Sequence, residues 1–561
     1  MVGKFLKIFG REVGGLHQAA YILAGFTFLS QILALIRDRM LAHFFGAGIE
    51  LDIYYAAFRI PDLIFVSVAS IVSVSVLVPL LSKKFEKSGS GEIREFLGSL
   101  ASFFILLVSL VSIVVFFLLP YIQPALFPGF EPNELASLIK FSRILLISPI
   151  LLGLSNIFGG VNQTMRRFFV YALSPILYNL GIILGILFLQ EKYGVQGVIY
   201  GVILGAALHL LTQLVFILRS KLLPKITSKI RYLEVIGVMA SSLPRALALG
   251  STHITLLVLI AIASTMTDGS IAVFNFSFNL QSVPLAIIGV SYSLAAFPTL
   301  SRMYSAGKQT EFLADIVSSA RHIIFWSLPI ISLFVVLRAQ IVRVILGSGS
   351  FNWSDTRLTA AALAFFVVSV VFQSLTLLFV RAYYAARVTW VPLLVNGSSA
   401  LVAILSSVVL LSLFKNSPFF VYFMESLMRV SGIPGTEVLM LPLAFAIGSI
   451  FNGLSIIYLF NHRFPFRIKF LAHGFYHSFA TAVSMGAVSY LMLSVLIFFF
   501  NTETLVGIFL QGAIAGLVGV LAGYLLLRAL GSQELQEIEL ALSRKFKRAK
   551  IIIPPEQDVV S

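Results

Sequence analysis

The chain has no cysteine, which excludes disulfides and thiolate metal sites. Charge is also scarce: Asp, Glu, Lys and Arg make up 11% of its 561 residues, where soluble domains carry about 25%. Acidic residues are the rarer sign, 24 against 40 basic. No G-x-x-x-x-G-K-[ST] loop occurs, so there is no Walker-type nucleotide site. No spacing of histidines offers a metal cluster. The chain therefore reads as a non-enzyme with no metal and no cofactor.

What it has instead is apolar surface. Hydrophobic residues reach 58%, in runs long enough to cross a bilayer, and such runs must close their backbone hydrogen bonds internally. An all-α, polytopic membrane protein is the expected fold class. The net charge of +16 does not imply nucleic acid, because the basic residues are scattered through short loops, as the positive-inside rule requires. The N-terminus has the basic flank of a signal peptide but no A-x-A site after a short apolar core, so a retained first helix is expected.

Fourteen spans are expected, near 19–45, 52–81, 96–120, 138–161, 168–189, 195–218 and 235–265. The second seven lie near 270–298, 318–345, 358–384, 389–413, 438–460, 474–500 and 504–530. Lys83, Lys84, Lys87 and Arg94 fill one connection, and Arg166 and Arg167 the next on the same side. The alternate connection 121–137 carries Glu131 and Glu134 and no Lys or Arg. Both termini are therefore expected in the cytoplasm.

Val78-Pro79-Leu80-Leu81-Ser82-Lys83 returns 219 residues later as Phe297-Pro298-Thr299-Leu300-Ser301-Arg302. Pro175-Ile176-Leu177-Tyr178-Asn179 returns 217 residues later as Pro392-Leu393-Leu394-Val395-Asn396. Two six-helix lobes related by a parallel repeat are expected, with a substrate path between them. The division is a cytoplasmic N-terminus 1–18, a first lobe 19–218, a cytoplasmic linker 219–234 and a second lobe 235–460. Two extra spans follow over 474–530. The last segment, 533–561, is expected to be a basic amphipathic helix on the cytoplasmic leaflet, with a loose tail from Ile551.

The stretch from Ala19 to Leu63 carries the most information. A span that should be apolar contains Arg37, Asp38 and Arg39, then turns at Gly46-Ala47-Gly48. Charges inside a span face a polar cavity or a partner, or else snorkel to an interface, and both readings stay open. Gln31 lies seven residues before Asp38 and shares its face. The following helix embeds Arg59-Ile60-Pro61-Asp62.

The segment IRDRMLAHFFGAGIELDIYYAAFRIPDLI resembles the opening of the MurJ (MviN) family, lipid II flippases of the MOP exporter superfamily. Matching positions are Arg37, Asp38, Phe45 to Gly48, Asp52, Ala57, Phe58, Arg59, Pro61, Asp62 and Leu63. Gly194, Gly197, Gly201, Gly205 and Gln213, Leu243-Pro244, Phe297 to Ser301 and Phe351 extend the resemblance across most of 15–530. It implies a multi-pass protein of the bacterial inner membrane. Its partners would be a lipid-linked anionic saccharide and the bilayer, with other envelope-synthesis proteins possible. It also implies transport by alternating access for peptidoglycan synthesis.

The pattern breaks where the family places cavity arginines: Gln31, Phe65 and Asn279 stand there instead. Arg37, Arg39, Arg59 and Arg245 remain as candidate cavity cations, with Asp38, Asp52, Gln31 and Asn279 as substrate-site candidates. The plain alternatives are an Arg59–Asp62 structural pair and a snorkelling Arg245. Asn179 and Asn396 read as repairing backbone freed by Pro175 and Pro392, and His209 and His253 as structural. Glycines 153, 159, 160, 201 and 205 read as helix contacts. Gly46, Gly48 and Gly269 sit at equivalent turns after spans 1 and 7 and are the expected gate. The alternatives to a lipid II flippase are an exporter of another polyprenyl-linked oligosaccharide or amphiphile, and a non-transporting envelope-assembly scaffold.

Overall fold

Apolar runs in lipid have no water to bond and must close their hydrogen bonds along the chain. The computed structural model is accordingly helical, with no strand among the described residues. It describes residues 16–69, 74–87, 90–220, 222–225, 227, 230–466 and 469–548. The basic N-terminal flank and the tail from Ile551 lie outside these, as do some side chains within helices, including that of Arg245.

The helices begin with α1 (Leu16–Phe45), α2 (Ile49–Ala57), α3 (Arg59–Ile64), α4 (Val74–Lys87), α5 (Ser90–Leu126) and α6 (Pro132–Leu145). Next come α7 (Ile147–Thr164), α8 (Phe168–Tyr193), α9 (Val195–Arg219), α10 (Tyr232–Ala263), α11 (Ser270–Leu285) and α12 (Ser291–Ser305). They continue with α13 (Gln309–Val336), α14 (Arg338–Leu346), α15 (Trp353–Val368), α16 (Val370–Ala385) and α17 (Trp390–Asn416). The last are α18 (Pro418–Met428), α19 (Met440–Arg463), α20 (Lys469–Leu496), α21 (Leu505–Ala529) and α22 (Gln533–Arg548).

Among the described residues, eleven helices are long and apolar enough to cross a membrane, or twelve if α15 and α16 form one broken span. The expected count of fourteen is not reached, and the two spans missing from it are the first two. α1 covers the first, but its opening turns are only partly described. The second is interrupted at Phe58, and residues 70–73 are not described.

The internal repeat has a backbone counterpart. A π-turn at Phe65–Ala69 follows α3 and another at Ala286–Val290 follows α11; 286 less 65 is 221. Arg166 (φ 57) and Arg387 (φ 58) are left-handed in the turns before α8 and α17, and 387 less 166 is again 221. Left-handed backbone is uncommon outside glycine, so the coincidence is specific. Asn179 lies 13 residues past Arg166, and Asn396 nine past Arg387. The difference is about one helical turn, which keeps the two asparagines on one face.

The chain forms two compact units. Unit 1 comprises Met1–Val283, Val342–Ser369 and Arg387–Ile456; unit 2 comprises Pro284–Ile341, Val370–Ala386 and Ile457–Ser561. In unit 1, α8 and α9 meet through glycines. A Cβ on Gly201 would lie 2.7 Å from the Gly185 Cα, and one on Gly205 would strike the Tyr178 carbonyl. Without a hydrophobic drive between helices in lipid, such close backbone contact supplies the attraction.

Unit 2 has its own core, in which Phe460 meets the rings of Phe379, Tyr383 and Phe464. The start of α22 docks here rather than lying free on a leaflet. Leu535 and Ile538 pack against Phe325 and Leu527, and Glu534, 3% exposed, pairs with Arg321 at 2.7 Å. Burial opposes the Glu534 charge, but hydrogen bonds from Arg321 and Ser532 outweigh it and hold the carboxyl below its usual range.

Two measurements check these packings. Gly201→Val should overpack the α8–α9 contact by about 1–3 kcal/mol and lower the melting temperature in detergent. Gly397→Val, where a Cβ meets nothing within 4 Å, should not. A depressed carboxyl value stabilises fully above the unfolded value and fades as pH falls through the folded one. Limited proteolysis should therefore release α22 on acidification, and Glu534→Gln should release it already at neutral pH.

Candidate functional site

A carboxylate removed from water costs several kcal/mol unless it is paired and hydrogen-bonded. Asp38 of α1 is 3% exposed, and its surroundings meet that demand. Arg37 donates to Oδ1 through Nη2 at 2.7 Å and Nε at 3.0 Å. Asn279 of α11 donates to Oδ2 at 3.0 Å. Arg37 Nη1 donates to Asn179 Oδ1 of α8 at 3.0 Å. One buried chain of polar groups in unit 1 thus joins α1, α8 and α11. Asn179 donates to Ser30 Oγ at 3.3 Å and to the Pro175 carbonyl at 3.2 Å. Its expected role at Pro175 was therefore only part of its work. Asn396 does not bond near Pro392; it donates to the Ala248 carbonyl at 3.4 Å and accepts from Asn452.

Arg59, at the start of α3, is the second cation at depth. Its Nη2 donates to Asn275 Oδ1, and Asn275 Nδ2 donates to the Ile271 carbonyl at 2.7 Å. Its Nε is buried without a partner. No ion pair with Asp62 forms within 4.0 Å among the described residues, so the expected local pair is absent. Asn275 and Asn279 stand one turn apart on α11, one on each arginine cluster. Tyr54 and Tyr55 are buried beside them, and the Tyr55 hydroxyl has no partner.

Asp52 does something else. Its Oδ2 accepts from the Gly269 amide at 2.7 Å and its Oδ1 from the Ala272 amide at 2.7 Å. A carboxylate of α2 therefore caps the N-terminus of α11, where orphan amides and the helix dipole favour an anion. The two outer turns meet at this point. Gly269 (φ 89) lies so close that a Cβ there would strike the Ala47 carbonyl, and a Cβ on Gly46 (φ 64) would lie 2.7 Å from the Ser350 carbonyl oxygen. Gly48 has no such crowding.

The remaining candidates separate from this cluster. Arg39 donates to the Val344 and Ile345 carbonyls at 2.6 and 3.1 Å, capping the C-terminus of α14. Gln31 is part-exposed and does not join the network, and the Arg245 side chain is not described. His209 Nδ1 lies 2.7 Å from Ser155 Oγ, a structural contact. Sequence reasoning missed Asn275. The available signal was an asparagine pair at i and i+4 in a span, which shares one helix face.

Removing the Asp52 carboxylate tests the outer seal. Asp52→Ala orphans two amides, each bond to a charged acceptor being worth roughly 1.5–3 kcal/mol. It should lower the melting temperature. It should also raise the reactivity of a cysteine at Asn275 toward an impermeant thiol reagent applied on the Gly46 side. Unchanged reactivity would mean the turns stay shut without the carboxylate.

The family profile described as Lipid II flippase MurJ matches residues 41–514. A probable lipid II flippase MurJ of Buchnera aphidicola subsp. Schizaphis graminum is 27% identical over 381 residues, 66% of this chain and 73% of that protein. The lipid II flippase MurJ of Burkholderia cenocepacia is 23% identical over 380 residues, 66% of this chain and 74% of that one. Among solved structures, a lipid II flippase MurJ in an inward closed conformation superposes with a TM-score of 0.71 at 22% identity, covering 91% of this chain and 99% of that one. An inward-facing MATE transporter of the MOP superfamily gives 0.63 at 14% identity, covering 78% and 94%. With a family match over most of its length and the fold of these transporters, the chain belongs to the MurJ lipid II flippase family.

Proposed function

We propose that the chain moves lipid II from the inner to the outer leaflet of the bacterial cytoplasmic membrane by alternating access. Two six-span lobes would rock about a central site, with both termini in the cytoplasm. The observation that carries the reading is Arg59. Its guanidinium is held at depth by Asn275, with a buried Nε that has no acceptor. A diphosphate oxygen is the acceptor such a group takes, because guanidinium matches phosphate geometry and stays charged. Arg37 is engaged by Asp38 and Asn179, so it frames the site more than it grips the cargo.

The energy source is not an ATPase of this chain, so membrane potential, an ion gradient or substrate supply drives the cycle. A second reading has one observation in its favour. Arg37 is neutralised by Asp38, and Asn279 and Gln31 carry no charge, so a less anionic polyprenyl-linked saccharide also fits.

Expression in a bacterium depleted of its own lipid II flippase separates the two readings. The parent chain should prevent lysis, whereas failure with confirmed insertion would favour the other cargo. Arg59→Ala should fail to rescue while melting like the parent, and Arg59→Lys should rescue weakly because an ammonium lacks the fork. Rescue by Arg59→Ala would sink the assignment. Arg37→Ala leaves Asp38 under-paired and should cost about 3–5 kcal/mol, much of it recovered in Arg37→Met/Asp38→Leu.

A further inference from the structure

α18 is an eleven-residue helix on the stretch that joins α17 to α19. At 1.5 Å per residue it is roughly 16 Å long, about half the thickness of a bilayer core, so it cannot span. α17 stops at Ser417, which is extended (φ -126, ψ 98), and the Ser417 hydroxyl caps the Phe420 amide at 3.3 Å. Proline at the first position of α18 then starts a new helix.

One face of α18 is folded back on the protein. Met424 is buried and Phe420 and Met428 pack with Leu410, Leu411 and Phe414 of α17. The opposite face carries Phe419, Tyr422, Phe423 and Leu427, exposed by 79, 71, 49 and 53%. These positions follow the i, i+3, i+4 rule of one helix face. The only charged side chain of the helix, Glu425, accepts from Thr436 at 2.7 Å. The exposed face therefore carries no charge.

The end of α17 says what covers that face. Leu401, Leu405, Val408, Val409 and Leu413 form an exposed apolar stripe along the span, which in a membrane protein faces lipid. Phe419 and Tyr422 continue the stripe immediately past its end. Aromatic residues with a polar tip sit at the headgroup level. We propose that α18 is an interfacial helix, lying in the headgroup boundary on the membrane face that carries the Gly46 turn, with Phe419, Tyr422, Phe423 and Leu427 in lipid. Its occupant is the bilayer itself, and the helix fixes the depth of α17 and of the loop leading to α19.

The absence of native cysteine makes the test direct. Single cysteines at Phe419, Tyr422 and Phe423, with Ser431 as an exposed control, are labelled with an environment-sensitive nitrobenzoxadiazole. The full chain is then reconstituted into phosphatidylethanolamine–phosphatidylglycerol vesicles. Labels on α18 should emit further to the blue, be quenched several-fold less by aqueous iodide than the control, and be quenched more by a nitroxide at acyl carbon 5 than at carbon 12. Iodide quenching equal to the control would place the helix in water. Stronger quenching at carbon 12 would place it in the core. Protection from both iodide and lipid nitroxide would mean that a protein surface covers it. Each of these three results overturns the proposal, and three independent labelling positions guard against one variant failing to fold.

Discussion

Everything at the centre of unit 1 answers to one buried anion. The Asp38 carboxylate cannot remain charged at depth without partners, and those it has come from three different helices. Arg37 follows from its own helix, Asn279 from α11, and Asn179 through Arg37 from α8. Removing any one leaves the others under-satisfied, and in low dielectric that penalty is large. The network therefore fixes how α1, α8 and α11 sit together before any cargo arrives. Arg59 then differs from Arg37 in kind, since it keeps a donor that no protein group satisfies.

Much of this was legible in the chain. Composition alone dictated helices, and the charged residues in the first span marked α1 as polar-lined. The resemblance pointed to Arg37, Asp38 and Arg59. What sequence could not show is which of two neighbouring cations has a partner. Arg37 and Arg39 look alike in the sequence, yet one meets a carboxylate and the other meets carbonyls of α14 more than 300 residues away. Asp52 looked like a site residue and is a helix cap, because the amides it serves belong to Gly269 and Ala272. Such pairings depend on tertiary approach, and no local periodicity encodes them.

The two halves repeat their backbone but not their chemistry. At the 221-residue offset, the position equivalent to Asp52 is Val273 and that equivalent to Arg59 is Leu280. The first half contributes the carboxylate and the cation. The second contributes a helix N-terminus and two asparagines. Duplication supplied matching frames, and divergence gave each frame the complement of the other.

The π-turns at Phe65–Ala69 and Ala286–Val290 alter the phase of the helix they interrupt. A π-turn holds one residue more than an α-turn, so everything beyond it is rotated by about 100° from where an unbroken helix would put it. A helical wheel drawn through the whole segment would assign the wrong azimuth to every residue after the slip. Residues before it can turn their polar side toward the interior while those after it present a different row, and the hydrogen-bond ladder never has to open to lipid. The two halves make this change of phase at matching points, so each can alternate between a wet face and an oily one part-way along its length.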